Sequence, residues 1–458
     1  MTGTKGKVAH AESAENAELA REVQTGLTGF TGLSDESQNP VNPVNPVSKA
    51  AVPRLRFKGY EGEWEAKRLK DIAEKVLEKN TARIYSETFT NSAEFGVIGQ
   101  HEYFDFDVAK NTSGYYVVHE NDFVYNPRIS KTAPVGPINR NGLGRVGVMS
   151  PLYFVFRTHD VKCDYLEVYF KTRCWHPYMY FNGDSGARSD RFSIKSDVFL
   201  RMPILMPKEG SEQSTIAAFF TSIDQTISSA SSRLTSLRQL KRAMLVKMFP
   251  RPGQCVPEIR FKGFDGKWEE LRVRDVAERV TRKNLNQESD LPLTISAEHG
   301  LIDQGEVFNN RIAAKDVSNY YLVVNGEFAY NRSASDGAPF GAVKRLDRYA
   351  QGVLSTLYMV FALKAESVDS DYLVQYYATD LWHRDIALRA AEGARNHGLL
   401  NISVEDFFDT RIVVPPSLPE QRKIAAFFRS LDRLIGAAEK KVAKLRQVKA
   451  SLLERMFV

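Results

Sequence analysis

The chain repeats one long segment of itself, and this duplication constrains its fold more than any other feature. Residues 53–76 read PRLRFKGYEGEWEAKRLKDIAEKV, and residues 257–280, which begin 204 positions later, read PEIRFKGFDGKWEELRVRDVAERV. Further landmarks recur in the same order at offsets of 205 to 208, ending with SEQSTIAAFF from Ser211 and PEQRKIAAFF from Pro419. A chain of 458 residues accommodates two to four domains of roughly 150 residues each. The repeat orders them as domain, long helix, domain, long helix.

The two copies share their ends and differ in their interiors. Residues 77–98 and 281–300 have little in common, which indicates one scaffold with different contents. The residues before the repeat contain NPVNPVNPV, whose Asn-Pro steps disfavour helix. We interpret them as a flexible, disordered leader or a translated tandem repeat, with a partner-binding arm as the alternative. The predicted boundaries are a leader at 1–52, a first domain at 53–208, a long helix at 209–250, a second domain at 251–415 and a C-terminal long helix at 416–458.

Each copy closes on a heptad pattern. Apolar residues recur at spacings of three and four, as in a coiled-coil seam, and a lysine, Lys241 or Lys449, breaks each pattern at the same place. Ser417 and Glu420 fit a capping box at the second helix start. Each stripe finds a match of similar length only in its twin, so we expect an antiparallel pair. The alternative is that each helix packs on its own domain. The seam residues are Ile216, Phe220, Ile223, Ile227, Leu234, Leu237, Ile424, Phe428, Leu431, Ile435, Val442 and Leu445.

The remainder of each copy has the pattern of a mixed α/β domain. Short runs rich in Val, Tyr and Phe, such as residues 115–118, 122–125 and 152–156, alternate with Gly, Pro and Asn turns. Helices are expected at residues 69–78 and 164–172. The predicted fold class is α+β, with two tandem mixed α/β domains, each on a largely antiparallel sheet, separated by two long helices that pair as an antiparallel coiled coil.

The sequence carries no recognisable catalytic or cofactor signature. The run from Gly142 to Gly147 matches G-x-G-x-x-G, yet a strand-like segment follows it where a nucleotide site needs a helix. The three cysteines are too dispersed for a zinc site. No signal-peptide core opens the chain, and no stretch approaches the roughly 18 apolar residues of a membrane span. We therefore expect a soluble, cytoplasmic protein that is not an enzyme, binds no metal or cofactor itself and has no membrane partner.

Basic side chains recur in loops at equivalent places in both copies. A net charge of +6 permits a nucleic-acid partner without establishing one. Basic residues interleaved with amides and aromatics can contact phosphates and base edges. The alternative is ordinary solvated charge or, for Arg188 and Arg395, an internal ion pair. The candidates in the first copy are Asn126, Arg128, Lys131, Arg140, Arg145, Arg188, Arg191 and Lys195, and those in the second are Asn331, Arg332, Lys344, Arg345, Arg348, Arg395, Asn396 and His397.

The motifs RFKGYEGEWE and RFKGFDGKWE, with EQSTIAAFF and EQRKIAAFF, resemble the specificity subunits of type I restriction-modification systems. The resemblance covers residues 53–458. It implies two target-recognition domains that each read one half of a bipartite, asymmetric site on double-stranded DNA. It also implies two modification subunits that carry S-adenosylmethionine and methylate adenine, and restriction subunits that use ATP and Mg²⁺. The leader is longer than the family pattern requires.

Two other functions are compatible with the sequence. A duplicated DNA-binding or adaptor protein could act alone and oligomerise through its coiled coil. A fused enzyme with an unrecognised active site would methylate or cleave DNA as the purified chain alone.

Overall fold

A computed structural model describes residues 30–31, 52–104, 111–184, 190–296, 299–307, 313–314, 316–335, 337–390 and 400–458. The chain divides into two compact units, each containing one copy of the repeat. Unit 1 comprises the residues up to Ser229 together with Lys441–Val458, and unit 2 comprises Ala230–Lys440. Each unit therefore takes one segment from each long helix. The domain boundaries predicted from the sequence remain a prediction.

Unit 1 contains two four-stranded sheets, with strand orders β6-β5-β10-β7 and β4-β11-β8-β9, and two strand pairs, β1-β2 and β12-β3. Strand β10 runs parallel to β5, and every other pairing between these strands in the described part of the unit is antiparallel. The strands are β1 (Phe30–Thr31), β2 (Arg56–Phe57), β3 (Glu65–Arg68), β4 (Ala73–Lys75), β5 (Thr88–Ser92), β6 (Gly96–Gly99), β7 (Tyr116–Val118), β8 (Phe123–Tyr125), β9 (Ile138–Arg140), β10 (Gly147–Met149), β11 (Phe154–Thr158) and β12 (Pro203–Met206).

The short helices of unit 1 are α1 (Gln100–Phe104), α2 (Cys163–Phe170), α3 (His176–Asn182) and α4 (Ser196–Phe199). The helix predicted at residues 69–78 is wrong. One 3-10 turn, Leu69–Asp71, is followed by β4, which pairs antiparallel with β11. Leu69, Ile72 and Ala73 are buried there, so packing against the sheet outweighs local helix propensity. Of the predicted leader, residues 1–29 and 32–51 lie outside the described part, and the described strand β1 pairs with β2.

Unit 2 repeats this plan. Its β14-β21-β18-β19 sheet matches the β4-β11-β8-β9 sheet, and three two-stranded pairs, β15-β16, β17-β20 and β13-β22, complete it. The strands are β13 (Glu269–Arg272), β14 (Ala277–Arg279), β15 (Leu293–Ser296), β16 (Gly300–Asp303), β17 (Tyr321–Val324), β18 (Phe328–Asn331), β19 (Ala342–Arg345), β20 (Gln351–Leu354), β21 (Met359–Leu363) and β22 (Arg411–Val414). The short helices are α6 (Val273–Val276), α7 (Gln304–Val307), α8 (Ser370–Tyr376), α9 (His383–Arg389) and α10 (Val404–Phe408).

The long helices are α5 (Gly210–Met248) and α11 (Leu418–Met456), each of 39 residues. In unit 1, Phe220 contacts Phe457, and Asp224 pairs with Lys449. In unit 2, Lys241 pairs with Asp432, and Arg238 pairs with Glu439. A later residue of α5 meets an earlier residue of α11 in both units, so the helices are antiparallel, as predicted.

The ends of both helices join the cores of the domains. In unit 1, Ile216 and Phe220 pack in one cluster with Leu452, Met456 and Phe457 and with the sheet residues Phe123 and Phe156. In unit 2, Met248 and Phe249 pack with Ile424, Phe428 and Leu431. The helices therefore pair with each other and also pack on the domains, which combines the two arrangements considered above. All twelve predicted seam residues are buried or half-buried.

The repeated motifs hold each domain to its long helix. The guanidinium of Arg56 in the first RFKG motif donates to both carboxylate oxygens of Glu212, and Arg260 in the second does the same to Glu420. Both carboxylate oxygens of Glu420 thus accept from Arg260, and the capping box expected for Ser417 and Glu420 stays a prediction. Among the described helices, none is both long and apolar enough to cross a membrane.

Candidate nucleic-acid interface

A loop that follows strand β8 carries the first predicted basic residues, and its shape is set from within. The side-chain amide of Asn126 donates to the carbonyl oxygen of Asn91 at 2.7 Å, and its oxygen accepts from the backbone N–H of Arg128 at 3.0 Å. Gly136 closes the loop at φ +82°, where a Cβ would overlap the carbonyl oxygen of Asn126. The hydroxyl of Tyr125 donates to Val135 at 2.9 Å. These contacts hold the loop in one conformation.

Unit 2 builds the equivalent loop in the same way. The side-chain oxygen of Asn331 accepts from the N–H of Ser333, and the hydroxyl of Tyr330 donates to Phe340 at 2.9 Å. Gly341, at φ +80°, approaches the carbonyl oxygen of Asn331 just as Gly136 approaches Asn126. Asn126 and Asn331 therefore define the loop conformation, and the shared framework presents different side chains in the two units.

The two loops predicted separately in the first copy meet in the structure. Arg128 and Arg191 form an antiparallel β-bridge, and the N–H of Phe192 donates to the carbonyl oxygen of Pro127 at 2.7 Å. The N–H of Ile129 donates to Asp190 at 3.0 Å. Sequence spacing cannot predict this pairing, because some 60 residues separate the two segments.

This pairing places Arg128 beside Arg191, and Lys131 and Lys195 lie on the same two loops. The Arg128 side chain is 68% exposed and lies 3.7 Å from Asp190, a weak contact, while Lys131 and Lys195 are exposed and Arg191 is half-buried. We call Arg128, Lys131, Arg191 and Lys195 the basic face. Exposed guanidinium and ammonium groups of this kind can contact phosphates, and arginine can also read guanine through two hydrogen bonds.

Four other candidates are held by carboxylates inside their own unit. Arg140 pairs with Asp164 and Glu167 at 2.7 Å, and its counterpart Arg345 pairs with Asp347 and Asp371 at 2.7 Å. Arg140 and Arg345 occupy the same register, opposite Phe123 and Phe328 respectively. In both units this arginine therefore forms an ion pair that connects a strand of the sheet to a short helix.

Arg145 and Arg348 are held in a similar way. Arg145 binds Glu87 and Glu102 at 2.8 and 2.9 Å, and the hydrogen bonds that its guanidinium donates to these carboxylates, first of all to Glu87, raise its pKa. Arg348 binds Glu306, the counterpart of Glu102, at 2.9 Å. Both arginines are exposed, so a phosphate would compete with the carboxylates for them.

Two candidates of unit 2 face inward. Burial lowers the pKa of Lys344, with a further lowering by Lys241 of helix α5 and an opposing effect of Asp432 of helix α11. Lys344 therefore lies beside the helix pair. Arg332 donates to the carbonyl oxygens of Ile402 and Leu357. Arg188, Arg395, Asn396 and His397 lie outside the described residues, and DNA contact by every candidate remains a prediction.

Exposed apolar side chains at equivalent positions were missed by the sequence reasoning. Phe181 and Leu388, near the ends of α3 and α9, are 82% and 70% exposed, and Leu152 and Leu357 are 61% and 62% exposed. Comparison of the two copies for apolar residues retained at turns would have found them. Among the residues that the structure describes, no three His, Cys, Asp or Glu side chains are grouped as a metal site requires.

Two solved structures are similar to the chain in fold. One is a crystal structure of a type I restriction-modification system S subunit from M. genitalium, with 11% identity, a TM-score of 0.54 and coverage of 89% of this chain and 99% of that one. The other is a structure described under complex assembly and conformational transition of the type I R-M system. It has 13% identity, a TM-score of 0.50 and coverage of 86% of this chain and 97% of that one.

The chain therefore has the fold of the type I restriction-modification S subunits, with two α/β domains and a pair of long helices. No protein-family model and no curated protein matches its sequence.

Proposed function

We propose that this chain is the DNA-specificity subunit of a type I restriction-modification enzyme. In this function, each recognition domain reads one half of a bipartite, asymmetric site on double-stranded DNA. The chain itself is not catalytic. Two modification subunits carrying S-adenosylmethionine methylate adenine, and restriction subunits using ATP and Mg²⁺ cleave DNA, all in the cytoplasm.

One observation carries the proposal: a repeated loop framework that displays different side chains. Asn126 with Gly136 and Asn331 with Gly341 shape the loops alike. Two residues after the asparagine, one unit has the exposed Arg128 and the other has the exposed Ser333. A shared scaffold with different contact residues is what two readers of different half-sites require, because base edges are distinguished by side-chain donors and acceptors.

Methylome sequencing tests the proposal directly. A host that carries this gene and its modification partner should acquire methyladenine within one motif made of two short sequences and a fixed gap. A continuous or palindromic motif would contradict the proposal. The purified chain alone should neither methylate nor cleave DNA, and either activity would favour a fused enzyme.

A domain exchange tests the independence of the two readers. Replacing residues 77–205 with those of a relative should change one half-site and leave the other half unchanged. The matched exchange of the corresponding part of unit 2 should change the other half alone. A change of both halves in either variant would contradict independent reading.

A further inference from the structure

A pocket of about 180 Å³ lies beside the basic face in unit 1. Strands β4, β7, β8 and β11 and the two paired loops surround it. A cavity of about 150 Å³ accommodates benzene, so this pocket has room for a planar group of similar size. Aromatic rings and backbone polar groups both line it, and the residues that matter here are Lys75, Tyr116, Leu152, Phe154, Phe192 and Ile194.

In unit 2, Arg332 occupies the position that corresponds to Pro127 of the pocket in unit 1. The N–H of Leu400 donates to the carbonyl oxygen of Arg332, the same hydrogen bond that Phe192 makes to Pro127 in unit 1. Arg332 therefore takes the position of Pro127. Its guanidinium donates to the carbonyl oxygen of Ile402 at 3.2 Å and to that of Leu357 at 3.3 Å.

Unit 1 has carbonyl oxygens equivalent to these two acceptors, but it has no arginine at the position of Arg332. Leu152 and Ile194 correspond to Leu357 and Ile402, and both line the pocket. Within the described part of the chain, neither carbonyl oxygen accepts a hydrogen bond. Pro127 has no side-chain donor. Aromatic rings of the lining attract cations: Lys79 Nζ already lies 3.3 Å from the centroid of the Tyr116 ring, and Phe192 is a further aromatic member of the lining.

The lysine of the pocket does not conflict with a bound cation. Lys75 lies opposite Phe156 on strand β11, and its Nζ is 5.3 Å from the centroid of the Phe154 ring. In unit 2, Arg279 lies in the same register opposite Phe361. Unit 2 therefore combines a basic residue at this strand position with the Arg332 guanidinium.

We propose that the pocket of unit 1 binds the arginine side chain of a partner protein. The guanidinium would donate to the carbonyl oxygens of Leu152 and Ile194 and lie against the aromatic lining, as Arg332 does for its own carbonyl acceptors. Unit 2 supplies this group from its own chain, whereas unit 1 takes it from outside.

The test uses the full chain without DNA, so it is independent of the proposed function. The probe is N-acetyl-arginine amide, which mimics arginine within a polypeptide, and binding is followed by saturation-transfer difference NMR. Wild-type protein should give saturable binding. Pro127→Arg should abolish it by filling the pocket, and Arg332→Pro should roughly double the signal at saturation by opening a second site. The neutral analogue N-acetyl-citrulline amide should bind at least tenfold more weakly.

Three outcomes would overturn the proposal. The first is the absence of saturable binding to the wild type, and the second is binding that Pro127→Arg leaves intact. The third is binding of free arginine without binding of the capped probe, which would assign the pocket to a metabolite. If the first outcome is accompanied by weaker binding of duplex DNA to the Pro127→Arg variant, the pocket is assigned to a DNA base instead. Circular dichroism of each variant verifies that the fold is retained.

Discussion

The guanidinium of Arg56 binds both carboxylate oxygens of Glu212, at 2.7 and 2.8 Å, with the Glu212 side chain only 2% exposed. Arg56 belongs to the motif that opens the first domain, and Glu212 lies in the first turn of the long helix α5. Trp64 adds a longer hydrogen bond to the same carboxylate. This one ion pair explains why two motifs separated by more than 150 residues occur together in each copy.

Removal of one partner of this pair should destabilise unit 1. Arg56→Met leaves a buried carboxylate without its cation, and we expect a loss of about 3 kcal/mol in the free energy of unfolding. Urea denaturation measures it. The double variant Arg56→Met with Glu212→Met should recover much of the loss, because no uncompensated charge remains. A double variant as unstable as the sum of the single ones would contradict the ion-pair explanation.

The lysines that break the heptad pattern should couple energetically to aspartates of the other helix. Lys449 pairs with Asp224 in unit 1, and Lys241 pairs with Asp432 in unit 2. These pairs are half-buried, so a double-mutant cycle with Lys→Met and Asp→Asn changes should give a coupling of about 1 kcal/mol. The two cycles should give similar values. Zero coupling in thermal unfolding would mean that the lysines serve only to interrupt the apolar stripe.

Gly136→Ala should distort the first loop. The added Cβ meets the carbonyl oxygen of Asn126 and takes on a positive φ, so we expect a loss of roughly 2 kcal/mol in stability. DNA affinity should fall with it. Gly142→Ala is the control, because open space surrounds that glycine and its effect should stay within about 0.5 kcal/mol. Equal effects of the two changes would contradict the close approach.

Arg128→Ala with Lys131→Ala should weaken DNA binding through lost phosphate contacts. Each lost contact reduces the slope of log K against log salt by about 0.9, so the pair should reduce it by about 2. Fluorescence anisotropy at several salt concentrations, on the chain in complex with its modification subunits, measures the slope. The exposed Arg201, which pairs with Asp197, provides the control Arg201→Ala. An unchanged slope in the double variant would remove the basic face from the interface.

Stability should fall between pH 6.5 and pH 4 because of two equivalent histidines. Burial lowers the pKa of His176 to about 4, and Arg173 lowers it further; burial also lowers the pKa of His383. Below pH 6.5 the unfolded chain binds protons that the folded chain excludes, so stability present above pH 6.5 is lost as the pH falls. After allowance for partial exposure, we expect about 1 kcal/mol from His176 and a contribution of the same sign from His383. His176→Gln with His383→Gln should flatten urea midpoints between pH 7.5 and 5.

Most of the fold could be predicted because its signals are local or repeated. The heptad stripes predicted two antiparallel long helices, which the structure places at Gly210–Met248 and Leu418–Met456. Residues 69–78 were the exception. Ala73–Lys75 among them form strand β4, whose pairing with β11 could be recognised only once the sheet was assembled.

The candidate site was less predictable. Arg128, Arg140 and Arg145 look alike in the sequence, yet Arg128 is 68% exposed with one weak contact, whereas the other two hold carboxylates. The carboxylates lie 24 to 58 residues from these two arginines. No local pattern indicates partners at such distances.

The sequence by itself determined the order of domains and helices and the antiparallel direction of the helix pair, because duplicated motifs and heptad spacing are properties of the chain alone. Only the tertiary structure decided which basic side chains remain free, which loops meet and that Arg332 takes the position of Pro127. Those outcomes depend on distant segments: a cation is neutralised, buried or left exposed according to the carboxylates and carbonyl oxygens that folding brings within about 3 Å of it.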